Sequence, residues 1–124
     1  MNKLNSSPIS FYLMRANQAI DSNDYIMAAH FFCIAEEMGS LEAKIGLAAL
    51  SISGHYQPTD VTTGQYAEMQ LRQVIETKTA TDKVRALALN NLATLYATGA
   101  EGIDADMKKS AEEASRARDL GFPF

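Results

Sequence analysis

The chain is poor in the residues and motifs that usually mark chemistry. Its one cysteine, Cys33, permits no disulfide within the chain. It has two histidines, His30 and His55, and neither has a Cys, Asp or Glu at metal-ligand spacing. It contains no G-x-S-x-G, no P-loop and no dinucleotide fingerprint. No apolar run reaches the roughly 18 residues that a membrane-spanning helix needs. Its first ten residues, MNKLNSSPIS, carry one lysine and soon return to polar side chains, so no signal peptide is expected and a cytoplasmic location is. Positive charge is in deficit as well. The 11 Lys and Arg face 15 Asp and Glu, giving a net charge of -4, which weighs against nucleic acid or an anionic membrane as partner.

What is present is a globular composition of 124 residues, 47% apolar and 21% charged, enough for one domain with one core. Cys33 lies in the apolar run HFFCIA and reads as a buried, inert thiol. The neighbouring carboxylates Glu36-Glu37 and Glu112-Glu113 read as solvated charge, not as an acid/base pair. No enzyme activity, metal or cofactor is expected.

Periodicity predicts six helices. Ser7-Pro8 starts the first, which runs to about residue 20 with apolar side chains on more than one face. The second spans about 24–38, with Tyr25, Ala28, Ala29, Phe32, Ala35 and Met38 at three- and four-residue steps, and Gly39 stops it. The third, about 40–53, is capped by Ser40 and rich in small residues, so it is expected to be central. A long loop with Pro58 leads to a fourth helix at about 63–77, with Ala67, Leu71, Val74 and Ile75 inward. Thr81 or Asp82 caps the fifth, whose clean face includes Leu87, Leu92, Leu95 and Tyr96. The sixth, about 104–120, has a thin inward stripe of Met107, Ala111, Ala114 and Ala117, as suits the outer lid of a stack. The apolar tail, residues 121–124, is expected to fold back onto the last two helices.

The six helices pair as hairpins at about 8–38, 40–77 and 82–120. Internal similarity favours a repeat over a simple bundle. LAALSISG, Leu47 to Gly54, aligns with LATLYATG, Leu92 to Gly99, at an offset of 45 residues. Ala28 to Gly39 and Ser110 to Gly121 also correspond, each ending on a glycine four residues after an alanine.

On these residues the chain resembles the Sel-like repeats, the α/α-hairpin relatives of tetratricopeptide repeats. Leu92 to Gly99 matches their L-G-x-x-Y-x-x-G with alanine for the first glycine, and Gly102-Ile103, Asp106 and Lys109-Ser110 follow in order. Ala117 to Gly121 closes the pattern, and Asp24 to Ala43 matches the second helix of a preceding unit. The stretch 63–77 departs most from it. The resemblance covers about residues 24–121. It implies an all-α, right-handed superhelical stack of three antiparallel helix pairs, a short α-solenoid forming a single domain.

The resemblance further implies a concave face lined by the first helix of each pair. That face takes Leu13, Met14 and Asn17 from the first helix, and Glu42, Ile45, Ala49 and Ile52 from the third. The fifth helix adds Leu87, Asn90, Asn91 and Thr94. Such a face suits a peptide or amphipathic helix of a protein partner, as in an adaptor or small chaperone, and a bacterial accessory protein is expected. Ile45, Ile52 and Leu87 have a second reading as core. Phe11, Leu13 and Met14 are candidates for a homodimer contact through the first helix. A small-molecule-responsive regulator is a further alternative.

Overall fold

The computed structural model describes residues 7–124; the polar lead of residues 1–6 lies outside the described residues. Among the described residues six helices follow one another: α1 (Pro8–Asp21), α2 (Tyr25–Glu37), α3 (Leu41–Ile52), α4 (Thr63–Glu76), α5 (Asp82–Thr98) and α6 (Met107–Asp119). Each is preceded by a Ser, Thr or Asp whose side chain accepts a hydrogen bond from the first turn. Thr62 does so within a capping box closed by Gln65. Such caps satisfy donors that no helix can satisfy itself, and each contributes about 1 kcal/mol.

Four helices stop in the same way. After α2, the Ser40 amide donates to Ala35 O at 3.0 Å and the Gly39 amide to Glu36 O at 2.9 Å. This pairing requires the residue between helix and cap to be left-handed, and Gly39 has φ +98°. The same bonds end α3, where the His55 amide reaches Leu50 O at 2.7 Å, and α6, where the Phe122 amide reaches Ala117 O at 3.1 Å. At α1 the left-handed position is filled by Asn23, with φ 60°. Short, tightly closed ends turn each helix back on its predecessor.

Consecutive helices pack side by side, and α3 additionally touches α5. There are two cores. The first, among α1, α2 and α3, is built from Ala16, Ala28, Phe32, Ala35, Ala43 and Leu47 with their neighbours. The second joins α3, α4 and α5 through Ala48, Leu71, Val74, Leu92, Leu95 and Tyr96. Thus α3 is shared, with Leu47 serving one core and Ala48 the other, as its small residues predict. Among the described residues, no helix is long and apolar enough to cross a membrane.

Several expectations need correction. The last helix begins at Met107, not near residue 104, because Asp106 is extended (φ -151°, ψ 98°) and is itself the cap. Met107 is 67% exposed and Ala111 is exposed; the inward face of α6 is instead Ser110, Glu113 and Ala117, with Ala114 half-buried. Met38 also points outward. Glu113 is buried, not solvated. It accepts from Arg72 at 3.0 Å and Arg116 at 2.7 Å. Glu36 is half-buried, taking Lys44 at 3.1 Å and Gln70 at 2.7 Å. A carboxylate can face inward where cations and amides meet it. Cys33 is half-buried, not fully enclosed. The tail does turn back: Lys83, at the start of α5, sits 5.7 Å above the Phe124 ring.

Candidate functional site

The hairpin order places α1 and α3 side by side and parallel, both resting on α2. Between them runs a cleft of about 500 Å³. From α1 it takes Leu13, Asn17 and Ile20; from α3 it takes Glu42, Ile45, Ala49 and Ser53, just past the helix end. Steps of three and four residues put these on one stripe of each helix. From residue 42 to residue 53 that stripe is about 17 Å long. Phe32 of α2 forms the floor.

The floor depends on a glycine. A Cβ built at Gly46 would lie 2.6 Å from the tip of the Phe32 ring. With no side chain at residue 46, the ring lies directly against the α3 backbone. By contrast, α3 and α5 pack in direct contact.

One mouth of the cleft is polar and ordered. His55 follows the tight end of α3, and its ring stacks on Tyr25 at 3.8 Å between centroids, 9° from parallel. Tyr25 in turn donates to Asn23 Oδ1 at 3.0 Å. Ser53 Oγ donates to Leu50 O at 3.1 Å and also lies 3.1 Å from His55 Nδ1. With the hydroxyl proton committed to Leu50, Nδ1 is the donor in the neutral ring and Nε2 its free acceptor. His55 also borders a second cavity of about 380 Å³, between α2 and the loop after α3, lined by Ala29, His30, Cys33 and Tyr56.

In that second cavity Cys33 Sγ lies 3.9 Å from Tyr56 Oη. Burial pushes the Cys33 thiol above its ordinary range, and burial does the same to the phenols of Tyr56 and Tyr66. All three hold their protons more tightly folded than unfolded. Their contribution to stability is therefore complete below the unfolded values, about 8.5 for a thiol and about 10 for a phenol, and is lost as pH rises through the folded ones. The urea midpoint is expected to stay level from about pH 7 to 8.5 and then to fall toward pH 11. Tyr66→Phe is expected to flatten that fall. An unchanged alkaline limb would separate the phenol from the stability of the fold.

The cleft gathers Leu13, Asn17, Glu42, Ile45 and Ala49 of the expected concave face. Ile45 lines it with little of its surface exposed, 8%, and also packs into the second core. The remaining positions lie elsewhere. Met14 is exposed. Ile52 and Leu87 pack against the second core. Asn91 Nδ2 is spent on Leu87 O at 2.9 Å, and Thr94 Oγ1 on Asn90 O at 3.2 Å. Of the candidate self-association residues, Phe11 and Met14 are exposed. Leu13 faces the cleft, whereas Phe11 joins an aromatic ladder with Tyr12 and Phe31, over which Arg15 lies. Ile20, Tyr25, Phe32, Gly46, Leu50, Ser53 and His55 are the cleft residues that sequence reasoning passed over. The signal for two of them was present, since Phe32 recurs on the apolar face and Gly46 interrupts a helix at some energetic cost.

Among the described residues, no group of three or more His, Cys, Asp or Glu side chains is placed to hold a metal ion. No family model, curated protein or solved structure matches the chain.

Proposed function

We propose that the protein is a non-enzymatic scaffold, a cytoplasmic adaptor or small chaperone that holds a segment of another protein in the cleft between α1 and α3. The carrying observation is the cleft itself: about 500 Å³, apolar along its length and polar at its mouth. That volume falls within the range of binding sites. A long apolar stripe with few polar groups suits a segment that buries side chains at every turn. The sequential packing of the helices and the resemblance to Sel-like repeats support a short right-handed α-solenoid of three hairpins, a class of fold that works by presenting surfaces.

The test is Gly46→Ala. The new methyl group displaces the Phe32 ring tip into the cleft. A helix-interior alanine gains about 1 kcal/mol over glycine, which offsets the strain. Stability is therefore expected to fall by no more than about 2 kcal/mol. Capture of a partner through a photo-cross-linker at Asn17 is expected to be lost. A partner still captured by a folded Gly46→Ala variant would remove the cleft from the interaction. Charging Ile45 is a poorer test, because its side chain also serves the core.

A second reading is self-association through α1, favoured by the exposure of Phe11 (46%) and Met14 (47%). It requires a mass by light scattering that rises with concentration and returns to that of a monomer in Met14→Asp.

A further inference from the structure

We infer that the segment received by the α1–α3 cleft is a cationic amphipathic helix. This rests on the cleft reading proposed above and adds the chemistry of the occupant. The observation is the distribution of charge. Residues 7–54 carry five carboxylates, Asp21, Asp24, Glu36, Glu37 and Glu42, against two cations, Arg15 and Lys44. Both cations are engaged away from the cleft. Arg15 lies 5.8 Å and 5.2 Å from the centres of the Phe11 and Phe31 rings. Lys44 Nζ is 3.1 Å from Glu36 and 3.1 Å from Gln73. Among the described residues, the one charged side chain lining the cleft is the exposed Glu42.

The backbone adds to this field. The parallel helices α1 and α3 bring their C-terminal ends to the mouth where Ile20, Tyr25, Ser53 and His55 meet. A helix C-terminus carries about half a negative charge, which a basic side chain in the last turn normally offsets. Neither helix has one there. Asp21 closes α1, and Asp24 caps α2 beside it. The mouth itself offers helix-end carbonyls, with a lining of aliphatic and aromatic side chains between it and Glu42; Asp24 lies with Arg15 at a separate pocket between α1 and α2. A helix with leucines on one face and lysines beside them meets both features. The same face repels an anionic helix and gains nothing from an anionic lipid surface. Antiparallel seating also places the positive N-terminal end of the incoming helix at this mouth.

The probes are three synthetic peptides long enough to cover the cleft. One carries leucines at i, i+3, i+4 and i+7 with lysine on the remaining face. The second has the same leucines with glutamate, and the third has the lysine composition in scrambled order. Fluorescence anisotropy at low and moderate salt reads each against the full chain. The patterned lysine peptide is expected to bind about tenfold or more tightly than either of the others, in line with a few partly exposed charge contacts. Its advantage over the glutamate peptide is expected to shrink as salt rises. Glu42→Lys is expected to narrow that advantage, and Gly46→Ala to weaken the patterned peptide about tenfold while the fold persists. Equal binding of the lysine and glutamate peptides, both lost in Gly46→Ala, would overturn the cationic inference and leave the cleft reading standing. Scrambled and patterned lysine peptides binding alike would show attraction by net charge alone and overturn the inference. Binding by none of the three would overturn it together with the cleft reading.

Discussion

Glu113→Ala is expected to lower the stability of the fold by about 3 kcal/mol, read as a shift in the urea midpoint with an unchanged slope. Glu113 is 6% exposed, although it sits in the most charged helix of the chain. Its two oxygens take Arg72 at 3.0 Å and Arg116 at 2.7 Å. The Arg72 guanidinium also donates to Tyr96 Oη at 3.1 Å, and that hydroxyl donates to Glu68. Burial and the bond to Glu68 both push the Tyr96 phenol up, so it stays a donor. The network joins α4, α5 and α6. Removing the central carboxylate leaves two arginines facing each other with their shared partner gone. Arg72 and Arg116 are partly exposed, which keeps the loss at the lower end for a broken buried pair. Glu112→Ala, on the exposed neighbour, is the control and is expected to change stability by less than about 0.5 kcal/mol. Equal effects from the two substitutions would mean that the network contributes nothing to docking α6.

Gly64→Ala is expected to cost about 2 kcal/mol and to expose the loop between α5 and α6, seen as faster amide exchange across residues 99–106. The Gly64 amide donates to Glu101 O at 2.8 Å. A Cβ at the same residue would lie 2.6 Å from that same oxygen and 2.8 Å from the Ile103 side chain. The contrast with Gly46 decides the sign. At Gly46 the obstacle is the tip of a ring that can tilt; at Gly64 it is a backbone carbonyl held by its own loop. That loop is closed by paired bonds between Ala100 and Ile103, at 3.0 Å and 2.9 Å, and by the Asp106 amide on Tyr96 O at 2.7 Å. A Gly64→Ala variant as stable as the parent, with unchanged exchange in the loop, would show that the segment yields freely.

Much of the fold can be read from local signals. Ser7, Asp24, Ser40 and Thr81 cap where hydroxyl and carboxylate side chains precede a periodic run, and Gly39 and Gly54 end helices because the left-handed turn there needs them. These are interactions within a few residues, so one sequence carries them. Distances between helices are another matter. Ile45 and Leu87 satisfy the same periodicity, yet Ile45 borders an open cleft while Leu87 packs against the second core. The floor of that cleft is the Phe32 ring lying against Gly46, a contact between residues on separate helices. Glu113 and Glu36 were legible only as charge, because the partners that let them face inward come from other helices. His55 is placed by the backbone of a tight turn, and its stacking on Tyr25 joins the loop after α3 to the first residue of α2.

The two cores are unequal in material. Alanines supply six of the nine buried positions in the first, whereas the second gathers leucines, isoleucine, valine and Tyr96. Alanine contributes little apolar area, so the first core leans on Phe32, Leu47 and Leu50. The α1–α2 hairpin is thus held to α3 by less buried apolar area than joins α3, α4 and α5. The cleft is thus one side of a seam between a loose layer and a firm one. An occupant touching both layers acts as a fastener: its binding is felt as slowed opening of the whole of α1 and α2.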